Sequence, residues 1–131
     1  METLVVVDDD PIFCGLLKTV LEFEDYHVIV EPNPDIVLSK VREVNPVLLL
    51  MDVHSEKGDT LDVLRELRAD ESLPGLRVVM TSGMDRSAEC QQAGADAFLL
   101  KPFRPDELVG LIADLVAKSQ DDRVVHINRM R

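Results

Sequence analysis

The sequence predicts an α/β fold, a five-stranded parallel sheet with helices on both faces, and three observations carry that prediction. Short apolar runs at Leu4–Val7, His27–Glu31, Val47–Met51, Leu76–Thr81 and Ala97–Leu100 alternate with longer segments of helical period. Such alternation is the pattern of parallel strands joined by right-handed crossovers. The first and third runs are almost wholly apolar rather than alternating, as in strands buried on both faces. Finally, four runs end in polar residues of related chemistry: Asp8–Asp9–Asp10, Asp52, Ser82–Gly83 and Lys101–Pro102. Parallel strands would bring all four tips to one edge, where open α/β sheets place their ligands.

The elements follow in order. After Leu4–Val7, Asp10 and Pro11 form an N-cap and first-turn pair. Ile12, Phe13, Leu16, Leu17, Val20, Leu21 and Phe23 then recur at helical spacing. His27–Glu31 is the second strand, ended by Pro32–Asn33–Pro34, since proline fixes φ and restricts the residue before it. Ile36, Val37, Val41 and Val44 form a second helical stripe, closed by Asn45–Pro46. Val47–Met51, the most hydrophobic stretch, reads as a central strand. A polar loop at His54–Gly58 leads to a helix with Leu61, Leu64 and Leu67, ended by Leu73–Pro74–Gly75. Leu76–Thr81 is the fourth strand, a short helix covers about residues 86–92, and Ala97–Leu100 is the fifth strand. Pro105 opens a last helix expected to reach about Lys118. The expected division is a domain over residues 1–119 and a flexible tail, or the start of a linker, over 120–131.

At 131 residues the chain suits one domain. Hydrophobic residues make up 46% and charged residues 30%, which argues against wholesale disorder. The formal net charge of −11 argues against direct nucleic-acid binding, which needs Lys and Arg to neutralise phosphates. Several carboxylates at one edge suit a divalent cation instead. No apolar run approaches a membrane span and Met1–Glu2–Thr3 lacks a positive leader, so the reading is cytoplasmic, without a membrane partner. Cys14 and Cys90 are far apart with no metal-ligand spacing, and read as small, partly buried apolar residues in a reducing compartment.

Taken together, Val7–Asp8–Asp9–Asp10–Pro11, Leu50–Met51–Asp52, Ser82–Gly83, Ala93–Gly94–Ala95–Asp96 and Lys101–Pro102–Phe103 resemble the receiver domain of two-component response regulators. The match covers roughly residues 3–119. An acidic triplet alone is most often a solvated loop, and a lone Lys–Pro is usually a turn. The five pieces in order are what make the signal specific. The resemblance implies a flavodoxin-like, doubly wound (βα)5 sheet with strand order 2-1-3-4-5. It also implies a phosphorelay switch that takes a phosphoryl group from a sensor histidine kinase or phosphotransfer protein, and that is not a conventional enzyme.

The residues support that chemistry one by one. Asp52 follows a buried strand, and a carboxylate can accept a phosphoryl group directly as an acyl phosphate. Asp8, Asp9 and Asp52 held close would repel unless a cation lies among them, which points to an oxygen-ligand Mg²⁺ site. Lys101 offers positive charge to the transferring oxygens, and Ser82 a hydroxyl donor. Thr81 competes for that role, but a hydroxyl followed by a small residue favours Ser82. The resemblance adds that Asp9 ligates the metal directly, Asp8 largely through water, and the backbone carbonyl of His54 supplies one ligand. It further implies that Ser82 moves toward the attached phosphoryl group, that Phe98 changes rotamer with it, and that the fourth helix with the fifth strand and helix forms the output face.

The chain departs from the family pattern after Asp52. Proline four residues on and glycine eight on are common there; Glu56 and Thr60 stand in their places, so a less preorganised loop is expected. His54 and Met84 occupy positions that modulate acyl-phosphate hydrolysis in the family. An apolar Met84 that hinders the attacking water predicts slow dephosphorylation. Timing phosphate loss after acetyl-phosphate loading checks this, and a lifetime of seconds would contradict it. In the last helix Leu108, Val109, Leu111, Ile112, Ala113, Leu115 and Val116 span about 200°, wider than an ordinary amphipathic stripe. Either that excess packs against neighbouring helices or it forms a homodimer or partner surface. The arginines that many DNA-binding regulators carry in this helix are missing.

Three other functions compete. A pseudo-receiver would keep the pocket but act as an interaction or dimerisation module without phosphate, and the altered loop is its support. A haloacid-dehalogenase-type phosphatase needs a second aspartate two residues after the nucleophile, where His54 stands. A flavin carrier needs a phosphate-cradling loop where Asp8–Asp10 would repel an anion.

Overall fold

A computed structural model describes the backbone of residues 1–129 and the side chains of residues 1–118. Its strands are β1 (Thr3–Val7), β2 (His27–Glu31), β3 (Leu48–Asp52), β4 (His54–Ser55), β5 (Gly58–Asp59), β6 (Arg77–Ser82) and β7 (Ala97–Leu100). Its α-helices are α1 (Pro11–Phe23), α2 (Val37–Val44), α3 (Leu61–Ala69), α4 (Ser87–Ala93) and α5 (Pro105–Arg129), with a single 3₁₀ turn at Pro34–Ile36. The main sheet is parallel, in the order β2-β1-β3-β6-β7. Setting aside the small β4–β5 pair, this is the expected 2-1-3-4-5 order.

The apolar runs form strands because both faces of the sheet are covered. One face carries Val5, Leu49, Met51, Val78 and Met80 against α2, α3 and α4 residues such as Val37, Val41, Leu64, Leu67 and Cys90. The other carries Leu4, Val6, Leu48, Leu50 and Val79 against Cys14, Leu17 and Leu21 of α1 and Leu108, Ile112 and Leu115 of α5. Each fully buried Leu or Val contributes about 1.5–3 kcal/mol over an exposed one. Charge on either face of β3 would therefore break the fold, and Asp52 is tolerated only because it stands at the strand's C-terminal tip.

Two expectations differ from the structure. The stretch read as a loop at His54–Gly58 is a hairpin, β4 pairing antiparallel with β5. Gly58 takes φ 113° in its turn, a conformation that side-chain-bearing residues rarely adopt. The loop lacks the family's proline yet is tied down by other bonds: Ser55 Oγ donates to Gly58 O at 2.9 Å, and the buried Thr60 donates from Oγ1 to Asp52 O at 2.8 Å. Thr60 thus replaces glycine's freedom with a tether to the strand tip. The last helix, expected to end near Lys118, continues to Arg129; residues 119–129 contain no proline or glycine to stop it. The side chains of the expected tail, and residues 130–131 altogether, lie outside the described residues.

The wide apolar stripe of α5 is largely accounted for by packing. Leu108, Ile112, Leu115 and Val116 are buried, Val109 and Leu111 pack partly buried on the same core, and Ala113 is exposed. The two cysteines are free, and more deeply buried than the partial burial expected. No helix is long and apolar enough to cross a membrane, among the described residues.

Candidate phosphoryl-acceptor site

The register of the sheet assembles the pocket. Val7 lies beside Met51, so Asp8 and Asp52 emerge side by side. Asp52 pairs with Thr81 and Ser82 with Leu100, which brings Ser82 and Lys101 to the same edge. Lys101 N donates to Ser82 O at 2.8 Å, tightening that junction, and the Lys101–Pro102 peptide is cis.

At the centre is an ion cluster. Lys101 Nζ donates to Asp8 Oδ2 at 2.8 Å and to Asp52 Oδ2 at 3.1 Å. Asp8 is almost fully enclosed, its side chain 3% exposed against 15% for Asp52 and 24% for Lys101. Partial burial of the ammonium works against its charge, but hydrogen bonds to Asp8 and then to Asp52 outweigh it and raise the Lys101 pKa. Asp52 Oδ1 accepts from His54 N at 3.2 Å, while Asp8 Oδ1 accepts from Asp10 N at 2.9 Å. Asp10 caps α1 as expected, accepting from Ile12 N and Phe13 N at 3.0 and 3.2 Å. Cys14 Sγ donates to Asp8 O at 3.3 Å; burial, followed by the charge of Asp8, pushes its thiol up to about 11.

Asp9 is exposed and accepts from Glu56 N at 3.1 Å, so the hairpin tip reaches back to the acidic triplet. The next residue, Lys57, bonds Asp35 at 2.6 Å and Asn33 at 3.3 Å on the turn after β2. Sequence reasoning marks Glu56 as the residue in proline's place; its main-chain N–H, which proline would lack, is what reaches the pocket. Ser82 is fully buried, and its Oγ accepts from Met84 N at 3.1 Å, which leaves the hydroxyl proton to donate. Thr81, also buried, meets Val53 N through its carbonyl. His54 and Met84 are both exposed. Phe98 stands apart from the ion cluster, half-buried and lining a cleft of about 310 Å³ with Ser87, Cys90, Gln91, Ala95 and Ala97.

Among the described residues, no group of three or more His, Cys, Asp or Glu side chains is preassembled to hold a metal. The reason is visible in the bonds: Lys101 occupies oxygens of Asp8 and Asp52, and Glu56 N occupies one of Asp9. The donor chemistry nevertheless suits Mg²⁺, since every candidate ligand offers oxygen and two carboxylates share one lysine.

The family model for the response regulator receiver domain matches residues 4–113. The chain belongs to that family. Receiver domains are signalling switches of phosphorelay pathways that interact with sensor kinases or phosphotransfer proteins. Among curated relatives, the chain is 32% identical over 124 residues to the DNA-binding response regulator MtrA of Mycolicibacterium smegmatis, covering 92% of this chain and 53% of MtrA. Among solved structures, a putative response regulator from Chloroflexus aurantiacus matches with TM-score 0.83 and 28% identity, over 88% of this chain and 98% of that one. A signal receiver domain from Bermanella marisrubri matches with TM-score 0.81 and 31% identity, over 87% and 97%. The chain spans about half the length of the curated relatives it matches.

Proposed function

We propose that this receiver domain accepts a phosphoryl group on Asp52 from a phosphohistidine donor, with Mg²⁺ bound. The observation that carries the reading is the ion cluster: a partly open carboxylate at a strand tip, one lysine shared with a buried aspartate, and more negative charge than that lysine can balance. Asp8, Asp9, Asp52 and the His54 carbonyl would hold the cation. When bound, Mg²⁺ neutralises negative charge on the carboxylates and phosphoryl oxygens.

The chain's own residues do the rest. An Asp52 carboxylate oxygen attacks phosphorus; the new P–O bond forms as the P–N bond breaks, and the bonding pair leaves with the donor's imidazole nitrogen. Lys101 turns an N–H from a carboxylate to a phosphoryl oxygen, balancing charge where it accumulates. The Ser82 hydroxyl donates to another oxygen once the group is attached, and Phe98 responds in the β7–α4 cleft. The added charge of about −1.5 to −2, typical of a phosphorylated side chain, then biases the face formed by α4, β7 and α5. His54 and Met84, exposed beside the pocket residues, modulate hydrolysis of the acyl phosphate. Exposed Ile12, Leu16 and Phe23 along α1, which starts at the pocket, supply an apolar surface for a kinase or phosphotransfer partner.

The receiver unit is proposed to be residues 1–119, in the cytoplasm. DNA binding of the kind named for MtrA is not proposed for these residues, whose net charge is −11. Nor is a dimer through α5, given how many of its apolar side chains pack inward. Titration with beryllofluoride and with acetyl phosphate, each with and without Mg²⁺, tests the reading. A response that requires Mg²⁺ is expected; none at millimolar Mg²⁺ would favour a phosphate-independent pseudo-receiver.

A further inference from the structure

Phe13 belongs to the apolar stripe of α1, yet it is only half-buried and faces the pocket's one lysine. Its ring centre lies 4.3 Å from Lys101 Nζ. Its ring also meets Phe103 edge-on, with centres 5.8 Å apart and planes at 78°. Phe103 is two residues past Lys101, so the segment that carries the lysine touches the same ring twice, through the ammonium and through an aromatic edge.

An ammonium has three N–H donors, and here two of them are spent on Asp8 and Asp52. Phosphoryl transfer requires that arrangement to change. An N–H must turn to the incoming phosphoryl oxygens, and Asp8 must release the lysine if its oxygens turn to a cation. A lysine on four rotatable bonds then loses a tether at the moment its position matters. The face of an aromatic ring attracts a cation without offering an oxygen acceptor, and the attraction grows where water is excluded. An aliphatic side chain of similar size would fill the space but would not hold the charge.

We propose that Phe13 is a positioning residue for phosphoryl transfer: its ring seats the Lys101 ammonium while the lysine exchanges carboxylate for phosphoryl oxygens. The proposal rests on the reading of Asp52 as phosphoacceptor. Phe103 braces the ring from its edge, so α1 and the segment after β7 act together in aiming the lysine.

The test compares the wild-type chain with Phe13→Leu and Phe13→Tyr. It reads the rate of phosphorylation by acetyl phosphate at saturating Mg²⁺, the Mg²⁺ affinity, and the proton shift of the Lys101 methylene next to Nζ. A methylene held near a ring face resonates upfield of an ordinary lysine. Phe13→Leu should lose that upfield shift and slow phosphorylation by about three- to tenfold, with Mg²⁺ affinity unchanged within about twofold. Phe13→Tyr should keep both rate and shift. An ordinary lysine shift in the wild type overturns the proposal without any variant. So does a folded Phe13→Leu protein with the wild-type rate, or an equal loss of rate in Phe13→Tyr with the upfield shift retained. If the wild type takes up no phosphoryl group at all, the Asp52 reading fails and the proposal falls with it.

Discussion

Two of the clusters of cations and carboxylates on this fold are alike in how far their cations are enclosed and differ in how their donors are spent. In the pocket, Lys101 joins Asp8 and Asp52 at 2.8 and 3.1 Å. Away from it, Asp96 is joined by Arg68 at 2.7 Å and Arg77 at 3.4 Å. Both cations of the second cluster are about as enclosed as Lys101, with side-chain exposures of 25% and 21% against 24%. The pocket, however, sets two carboxylates against one cation, with Asp9 close in sequence, whereas in the second cluster two arginines converge on the Asp96 carboxylate. Arg68 also spends N–H groups on Gly94 O and Leu76 O, at 2.7 and 2.6 Å, and Asp96 accepts from Val78 N at 2.8 Å. Its donors are committed to the protein's own backbone. The difference teaches how to tell a candidate site from a structural ion cluster: surplus negative charge on enclosed carboxylates around a single lysine calls for a further cation, while a cluster whose donors are committed to backbone carbonyls is closed.

That comparison can be broken by mutation. Arg68→Ala removes two bonds that hold α3 to the α4–β7 junction and a third to Leu76 just before β6, and leaves two carbonyls without their partner. It should cost about 2 kcal/mol of unfolding free energy while Mg²⁺-dependent phosphorylation persists. Urea unfolding alongside an acetyl-phosphate assay checks both halves; unchanged stability with lost phosphorylation would invert the assignment. A third ion group, whose carboxylates are more exposed, sharpens the contrast. Arg86 joins Asp59 at 2.6 Å and Glu89 at 2.7 Å, linking the hairpin after Asp52 to α4. Hydrogen bonding to Arg86 holds Glu89 below the usual carboxylate range; for Asp59, burial opposes the shift, but the Leu61 N–H and Arg86 prevail and lower it too. Folded-state pKa values below the unfolded ones mean this stabilisation is present above the ordinary carboxylate range and lost as pH falls through the lowered values. Arg86→Ala should therefore destabilise less than Arg68→Ala at pH 7, and the gap to wild type should close below about pH 4. Thermal unfolding at the two pH values measures it, and a pH-independent gap would contradict it.

Much of this was legible in the sequence because it is local. The five strands, the Asp10 cap and the strand-tip positions of Asp8, Asp52 and Ser82 follow from apolar runs and the residues that end them. What was not legible depends on partners far along the chain. Ala93–Gly94–Ala95–Asp96 could be recognised as a pattern, but not why it is there. A side chain at Gly94, where φ is 109°, would strike Arg68, and Arg68 comes from another helix. Likewise the hairpin's hold on Asp9 runs through the main-chain N–H of Glu56, a group that no residue type reveals. Phe13 read as one more apolar residue at helical spacing, because its contact with Lys101 joins elements at opposite ends of the chain. The length of α5 was missed for the opposite reason: residues 119–123 are all polar and interrupt the apolar stripe, and the absence of a breaker was the main signal that the helix continues.

The central claim is that the pocket's surplus negative charge serves phosphoryl transfer to one particular carboxylate. The most direct measurement is the intact mass of the wild-type chain and of Asp52→Asn after incubation with acetyl phosphate and Mg²⁺. The account predicts one added phosphoryl group on the wild type, removable by hydroxylamine and absent when Mg²⁺ is chelated, and none on Asp52→Asn. An unmodified wild type, or an Asp52→Asn chain that gains the same mass, would contradict it.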